Sequence, residues 1–455
     1  MKHIYKTLSV ALLATTLMAC SSDDDNQSAG NIVEVAEANG SFTTLVAALQ
    51  ASGLDDVLAD ENRDFTVFAP TDAAFAALLA DLGISAADLL ASPNLSDILL
   101  YHVVPDAEID STAAIAAAGT TVTTANTDDI GVALKGTELF INASRVESPD
   151  VAANNGVIHV IDAVLIPTED DATSGTIADV ATANGSFNTL VGALGATGLA
   201  ATLADADGKF TVFAPTDAAF AKIDTSGLTN DELKDILLYH VIIGAEVNAA
   251  AATAIAGNTV KMGNDDNMAL SLSNTELFAN LSKVSLPNVD ASNGIIHAVD
   301  TVLLPPADAA APTLNIVETA QGNPDFSTLV TALSATSDLV STLSDPNGDF
   351  TVFAPTDAAF NALEASNPGI IATLLATPDG ALRDILLKHV VAGSVDSVTA
   401  FTLNGTEVPT VNGETVEIEI DSGVFTVDGA QVTTFDIVTT NGVIHVIDAV
   451  ITLDP

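Results

Sequence analysis

The sequence predicts an α+β protein made of three tandem copies of one domain, each with helices packed on a β-sandwich or wedge. Two observations support this prediction. Four segments recur in the same order three times, and each copy opens with apolar residues at helical spacing and ends in β-rich runs. The 455 residues suit about two to four domains of ordinary size, and 48% hydrophobic against 16% charged residues argues against disorder.

The recurring segments set the domain boundaries. One eleven-residue segment occurs unchanged at residues 65–75, 210–220 and 350–360. Another, Asn-Gly-x-Ile-His, follows at residues 155–159, 293–297 and 441–445. This period far exceeds that of a solenoid unit, so each copy is predicted to have its own core. The predicted domains are residues 31–167, 176–305 and 313–455.

The elements of a copy can be assigned in chain order, with the first copy as the example. Residues 33–49 have apolar side chains at helical spacing, and residues 65–68 are a β-rich run. Thr71 lies where an N-cap belongs, and a further helix is predicted at residues 97–103. The closing run at residues 157–165 is apolar on both faces, which predicts a buried central strand.

Two linkers separate the predicted domains. Residues 167–175 are acidic and flexible in composition, whereas residues 305–312 are bounded by prolines and are predicted to be stiffer. We therefore expect three domains that project from a membrane like beads on a string.

The N-terminus predicts export. Residues 1–19 combine a basic start with an apolar stretch too short to span a bilayer, which is typical of a cleaved signal peptide. The stretch ends in Leu-Met-Ala-Cys, which resembles the bacterial lipobox with Cys20 as the lipidated residue. Because Cys20 is the only cysteine, an intramolecular disulfide is impossible.

Residues 20–30 are polar and acidic and are predicted to form a tether. Ser21 to Asp25 resemble the acidic export signal of Bacteroidota surface lipoproteins, and an ordinary solvated linker is the alternative. The predicted location is the bacterial outer membrane, with the protein exposed at the cell surface and in contact with the membrane through its lipid anchor only.

The chain is strongly acidic, with 60 acidic against 12 basic residues and a formal net charge of −48. Such a charge repels phosphate backbones and argues against nucleic acid binding. Solubility is the favoured explanation, and a surface that collects divalent cations is the alternative. Three acidic turns echo half of an EF-hand loop without its distal glutamate, so weak Ca²⁺ binding is a hypothesis and no other cofactor is predicted. These turns are residues 60–64, 205–208 and 345–349.

The segments Phe-Thr-Val-Phe-Ala-Pro-Thr-Asp-Ala-Ala-Phe, Asp-Ile-Leu-Leu-Tyr-His-Val and Asn-Gly-x-Ile-His together resemble the fasciclin domain. The resemblance covers residues 31–454. It implies a β-sandwich wedge with an α-helical layer and a role in surface adhesion. No catalytic chemistry is general to that family.

Two short motifs resemble adhesion motifs of animal fasciclin-domain proteins, a Tyr-His pair and the Asp-Ile-Leu run before it. The third copy has Lys388 in place of the tyrosine, which puts that activity in doubt there. A structural role is favoured, with the aliphatic residues in the helix core and the tyrosine half-buried. The candidate adhesion residues are Asp97, Ile98, Leu99, Tyr101, His102, Asp235, Ile236, Leu237, Tyr239, His240, Asp384, Ile385, Leu386 and His389.

A second histidine in each copy alternates with aliphatic residues on the closing strand. A metal site that adds Asp162, Asp300 or Asp448 would offer barely enough ligands for zinc. A hydrogen-bonded place in the core is therefore favoured. These predicted core histidines are His159, His297 and His445.

No enzymatic signature is present, since the Gly-x-Ser-x-Gly, His-Glu-x-x-His, phosphate-loop and dinucleotide motifs are all missing. The predicted function is non-enzymatic adhesion to cell-surface or matrix components, such as polysaccharide or further copies of the chain, including in biofilms. The alternative is a surface lipoprotein that captures a glycan or another small molecule, which the absence of Trp disfavours.

Overall fold

The structure is a computed structural model that describes residues 30–82, 84–167, 175–273, 276–306, 311–336 and 338–453. The predicted signal peptide, Cys20 and all but the last residue of the tether lie outside the described residues. Within those ranges, no helix is long and apolar enough to cross a bilayer. The described residues form three domains of one topology, so the predicted α+β class with three tandem domains is confirmed.

The first domain places a layer of helices on a seven-stranded sheet. Its helices are α1 (Ile32–Ala38), α2 (Thr43–Ser52), α3 (Asp55–Leu58), α4 (Asp72–Leu82), α5 (Ala86–Leu90), α6 (Leu95–Tyr101) and α7 (Ser111–Ala116). Its strands are β1 (Phe65–Pro70), β2 (Val103–Pro105), β3 (Thr120–Thr123), β4 (Asp129–Lys135), β5 (Glu138–Ile141), β6 (Ser144–Ala153) and β7 (Gly156–Ile161).

The second domain repeats this order. Its helices are α8 (Ile177–Ala183), α9 (Asn188–Thr197), α10 (Ala200–Leu203), α11 (Asp217–Phe220), α12 (Asn230–Leu238) and α13 (Ala249–Ala254). Its strands are β8 (Phe210–Pro215), β9 (Val241–Ile243), β10 (Asn258–Lys261), β11 (Asn267–Ser273), β12 (Glu276–Ala279), β13 (Ser282–Ala291) and β14 (Gly294–Val299).

The third domain has the same strands and a longer helical layer. Its helices are α14 (Ile316–Gly322), α15 (Ser327–Ala335), α16 (Leu339–Leu343), α17 (Asp357–Ser366), α18 (Ile370–Ala376), α19 (Arg383–Lys388) and α20 (Ser397–Thr402), with short 3-10 and π turns at Pro324–Phe326 and Pro378–Leu382. Its strands are β15 (Phe350–Pro355), β16 (Val390–Ala392), β17 (Thr406–Pro409), β18 (Thr415–Asp421), β19 (Val424–Val427), β20 (Ala430–Thr439) and β21 (Gly442–Ile447).

The sheet of each domain has one strand order, which in the first domain is β2-β1-β7-β6-β5-β4-β3. Strands β1 and β7 are parallel, with Phe65 beside Gly156, whereas the remaining neighbours are antiparallel. Both are buried along their whole length, as predicted for the closing run. One face of this pair packs against the helical layer, where Phe42 and Ile158 belong to one core cluster.

The invariant eleven-residue segment connects the sheet to two helices. The β1 strand ends at Pro70, and the Thr71 hydroxyl accepts the backbone N–H of Ala74 at 3.2 Å, which caps α4 as predicted. The Asp72 carboxylate accepts the backbone N–H of Thr44 at 2.7 Å, at the start of α2. One short segment therefore begins its own helix and satisfies a free N–H group of another.

The three domains pack directly on one another, so the expectation of separate beads is wrong. Helix α13 of the second domain lies on β4 of the first, and α20 of the third lies on β11 of the second. The first contact is so close that a Cβ atom added at Gly131 would lie 2.0 Å from the carbonyl oxygen of Ala250. At the second contact, Asn404 donates its side-chain N–H to the carbonyl oxygen of Leu272 at 2.8 Å.

Candidate functional site

The residues of the two adhesion-like motifs lie on α6, α12 and α19 and on the one or two residues that follow each helix. In the first domain Asp97 is exposed, Ile98 is half-buried and Leu99 is in the core. Tyr101 and His102 are each only 2% exposed, so the tyrosine is buried more deeply than expected. In the other copies the acids Asp235 and Asp384 are exposed and Ile385 is half-buried, whereas Ile236, Leu237, Tyr239, His240, Leu386 and His389 are buried. Only the acid of each motif is fully open to a partner.

His102 connects the end of α6 to the residues that follow β7. Its Nδ1–H donates to the carbonyl oxygen of Ile98 at 2.7 Å, and its Nε2 accepts the backbone N–H of Leu165 at 2.9 Å. The bond that Nε2 accepts requires the neutral ring, and burial lowers the pKa of His102 to about 4. His240 and His389 make the corresponding two bonds, and burial lowers the pKa of each to about 4.

Tyr101 holds the sheet through its hydroxyl group. The hydroxyl donates to the carbonyl oxygen of Asp129 at 2.8 Å and accepts an N–H of the Asn142 side chain at 3.0 Å. In the second domain Tyr239 makes the matching bonds, with Asn280 as the amide partner at 2.9 Å. The tyrosines are therefore hydrogen-bonded core residues.

In the third domain a lysine takes the place of the tyrosine. Lys388 is fully buried, and its Nζ lies 3.2 Å from Asp428 and 3.5 Å from Glu414. Asp428 occupies the strand-end position that Asn142 and Asn280 hold in the other copies. The two changes compensate each other, because the new charge on the helix meets an opposite charge on the sheet.

The second set of histidines is fully buried. His159 donates Nε2–H to the carbonyl oxygen of Ile109 at 2.7 Å, and its Nδ1 accepts the backbone N–H of Asp150 at 3.4 Å. His297 and His445 have the same two kinds of partner, and burial lowers the pKa of both, to about 4 for His297.

The acids that could complete a metal site with these histidines are engaged in other hydrogen bonds. Asp162 accepts the backbone N–H of Arg145 at 2.8 Å and pairs with its guanidinium at 3.3 Å, while Asp300 and Asp448 accept backbone N–H groups of the neighbouring strand. The acidic turns are closed locally, since Asp60 accepts the backbone N–H of Asn62 at 3.0 Å. In the part of the chain that the structure describes, no three His, Cys, Asp or Glu side chains come together as metal ligands.

The contact between successive domains joins two surfaces that we call the strand face and the helix face. The strand face comprises outward-pointing residues of two neighbouring strands, paired in register. The helix face comprises residues of the short helix that precedes the third strand of the next domain. The strand face of the first domain consists of Gly131, Ala133 and Phe140, and that of the second domain consists of Ala269, Ser271 and Phe278. The helix face of the second domain consists of Ala250 and Thr253, and that of the third domain consists of Val398 and Phe401.

Both contacts are buried and closely packed. Phe140 is 1% exposed and belongs to the core cluster of the second domain, and Phe278 is 0% exposed and belongs to that of the third. Ala250, Thr253, Val398 and Phe401 are all buried. These residues were not singled out from the sequence, although a comparison of outward strand positions between the copies would have drawn attention to them.

A cavity of about 650 Å³ lies beside the contact of the second and third domains. Its wall is mainly apolar, with Phe401 and Phe435 as its aromatic residues and the exposed side chains of Leu304 and Val438 at its edge. Asp436 adds a carboxylate, which accepts the backbone N–H of Ser397 at 2.8 Å. The volume falls within the range of small-molecule sites.

The fold and the packed domain surfaces define a modular α+β protein of tandem domains. The family model for the fasciclin domain matches residues 40–167, 185–305 and 324–453, and the chain belongs to this family. The matched ranges lie within the three domains predicted from the sequence.

Relatives cover the chain to different extents. The chain is 28% identical over 428 residues to the transforming growth factor-beta-induced protein ig-h3 of Sus scrofa, which covers 92% of this chain and 57% of that protein. The chain therefore spans little more than half the length of that relative. It is 41% identical over 169 residues to protein sll1483 of Synechocystis sp., covering 35% of this chain and 87% of that one. A solved FAS1 domain pair of the insect cell adhesion molecule fasciclin I covers 61% of this chain and 95% of its own, at 20% identity and a TM-score of 0.30.

Proposed function

We propose that this chain is a lipid-anchored surface protein that mediates adhesion to cells, matrix or biofilm through several domains at once. The observation that carries the proposal is the serial packing of three like domains, which holds three copies of one surface at a fixed spacing. A rigid array gains avidity, because each later contact forms at a high effective concentration. Membership of the fasciclin-domain family supports this function.

The exposed acid that begins each Asp-Ile-Leu motif is the part of the motif that a partner can reach. Asp97, Asp235 and Asp384 are exposed at the same position of the three domains. Since the whole chain carries a formal charge of −48, contact with another acidic surface requires cations between them. We therefore expect Ca²⁺ to strengthen attachment more than a monovalent salt of the same ionic strength does.

The test changes these acids to asparagine one, two and three at a time in the full chain. Attachment of protein-coated beads to cells and to matrix polysaccharide is measured at fixed ionic strength, with and without Ca²⁺. Control variants lose the same charge at exposed acids outside both the motif and the acidic turns, as Asp56→Asn, Asp231→Asn and Asp325→Asn. Attachment should fall with each motif substitution and hold in the controls. An equal loss of attachment in the motif variants and in the controls would show that net charge alone causes the effect. The motif acids would then have no specific role in adhesion.

Anchoring is tested separately. Cys20→Ser should release the protein from the membrane fraction, because the lipidated thiol is lost. Replacement of Asp23, Asp24 and Asp25 by alanine should protect the protein from protease added to whole cells. Membrane partitioning that persists in Cys20→Ser would contradict the lipid anchor.

Capture of a small molecule is the second candidate function, and the cavity of about 650 Å³ between the second and third domains favours it. Its lining of aliphatic residues and phenylalanines suits an apolar ligand better than a sugar. Titration with an apolar fluorescent probe such as 1-anilinonaphthalene-8-sulfonate tests this idea. Saturable binding of one probe per chain that Phe435→Asp abolishes would support capture, and binding that this change leaves intact would count against it.

A further inference from the structure

The strand face of the third domain differs sharply from those of the first two. The positions that hold small residues on β4 and β11 hold Glu417 and Glu419 on β18, and Thr426 stands where Phe140 and Phe278 lie. Along β18 exposed and buried residues alternate without exception, so both glutamates point to solvent. The face that receives the next domain in the first two copies is thus charged in the last.

The charge on this face is concentrated. Glu407 on β17 lies directly opposite Glu417, and Glu419 follows two positions further along the same side of β18. The corresponding residues opposite Gly131 and Ala269 are threonines. Like charges at opposite positions destabilise a sheet, and the alternating pattern of β18 does not need glutamate there. A role outside the domain explains these glutamates better than the stability of its sheet.

At the other end of the chain, the helix face is open. Thr112 and Ile115 on α7 correspond to Ala250 and Thr253 on α13, but Thr112 is exposed and Ile115 is 46% exposed. These residues are neutral and similar in size to those that pack at the two contacts inside the chain. Among the described domains, the first therefore has an open helix face and the third has a charged strand face.

We propose that Glu417 and Glu419 cap the stack and prevent the α7 helix face of a second copy from docking on the third domain. Two contacts of this kind already exist within the chain, so without the cap the same geometry would join chains head to tail. A docked helix would strip water from both carboxylates without supplying a cation, since α7 has no basic residue. Polar outer faces end repeat arrays in the same way.

The test uses two proteins, one with only its strand face open and one with only its helix face open. The uncapped variant has Glu417→Ala, Glu419→Ser and Thr426→Phe, which are the residues of the second domain, and Ile115→Asp to close its own helix face. The wild type has an open helix face and a capped strand face. Each protein alone should sediment as a monomer, and a mixture of the two should form a 1:1 complex. The uncapped variant should form no complex with a wild type that carries Ile115→Asp, because the helix face of that partner is closed. The dissociation constant of the mixture should lie at least about tenfold below that of wild-type self-association.

Two controls separate the cap from general stickiness. Thr426→Phe with Ile115→Asp adds the apolar ring but keeps both glutamates, and it should not bind the wild type. Glu37→Ala and Glu61→Ser with Ile115→Asp remove the same charge elsewhere and should not bind it either. A folded uncapped variant that stays monomeric with the wild type overturns the proposal, as does binding that survives Ile115→Asp in the partner.

The reverse graft keeps the proposal testable if the uncapped variant does not fold. Ala269→Glu and Ser271→Glu place the cap between the second and third domains. The third domain should then separate from the second, seen as a larger radius of gyration in small-angle scattering at an unchanged secondary-structure content. An unchanged radius of gyration would mean that glutamates on a strand face do not prevent docking, which also overturns the proposal.

Discussion

Replacing Lys388 by tyrosine and Asp428 by asparagine should destabilise the third domain when done singly, and much less when done together. The buried ammonium of Lys388 is 0% exposed and lies 3.2 Å from Asp428, whose side chain is 31% exposed. The corresponding pair in the first domain is Tyr101 and Asn142, joined at 3.0 Å. The double variant recreates that pair in the third domain.

The magnitude follows from what each change leaves behind. Asp428→Asn leaves a solvent-free lysine with one carboxylate 3.5 Å away, and removing one partner of a buried pair costs about 3–5 kcal/mol. Lys388→Tyr leaves two acids that solvent reaches in part, so about 2 kcal/mol is expected. The double variant should lie within about 1 kcal/mol of the wild type, since a tyrosine–asparagine hydrogen bond contributes about that much. The single-variant costs together exceed the cost of the double variant by about 4–6 kcal/mol, which is the expected coupling energy.

The assay is chemical denaturation of the full chain, followed by circular dichroism and by hydrogen exchange of peptides from β21. Exchange assigns the unfolding to the third domain. Lys388→Met serves as the control that removes the charge and keeps the length of the side chain. Single-variant costs that add up in the double variant, to within about 0.5 kcal/mol, would refute the compensation argument.

Three further predictions concern the core and the contact between domains. Burial lowers the pKa of four histidines from 6.5 to about 4, so the stability they contribute is complete above pH 6.5 and is lost as pH falls toward 4. Urea unfolding midpoints that stay constant between these two pH values would contradict this prediction. Gly131→Val should push α13 off β4, because even a Cβ atom there would lie 2.0 Å from the carbonyl oxygen of Ala250. Small-angle scattering should then show an expanded chain, whereas the control Gly192→Val should cause no expansion. Asn441→Leu should destabilise the third domain by about 2–3 kcal/mol, because it strands the backbone N–H of Ile316 and the carbonyl oxygen of Leu343, and α14 peptides should then exchange faster.

Local chemistry made much of each domain predictable. The helix start at Thr71 depends on a hydroxyl three residues before the N–H group it accepts, and this spacing is visible in the sequence. The burial of β7 follows from its apolar residues on both faces. These features need no knowledge of distant parts of the chain.

The contacts between domains could not be predicted in the same way. Gly131 and Ala250 are separated by about 120 residues, and small neutral residues on a strand fit a solvated surface as well as a packed one. The acidic composition of the linker indicates flexibility, but packing of apolar faces on either side of it decides how the domains lie. The depth of Tyr101 is likewise not visible in the sequence, because its partner Asn142 lies on a distant turn.

What the three copies share explains the fold, and what distinguishes them bears on function. The repeated histidines are buried and hydrogen-bonded, so their recurrence follows from the needs of the core, and a partner cannot be inferred from it. Even the exchange of tyrosine for Lys388 is matched by an acid at Asp428, which keeps the core satisfied. By contrast, Glu417 and Glu419 are exposed. They replace the small residues of the first two copies on the face where a neighbouring domain would dock. Because no packing requirement inside the domain calls for these glutamates, position in the stack is the property that accounts for them.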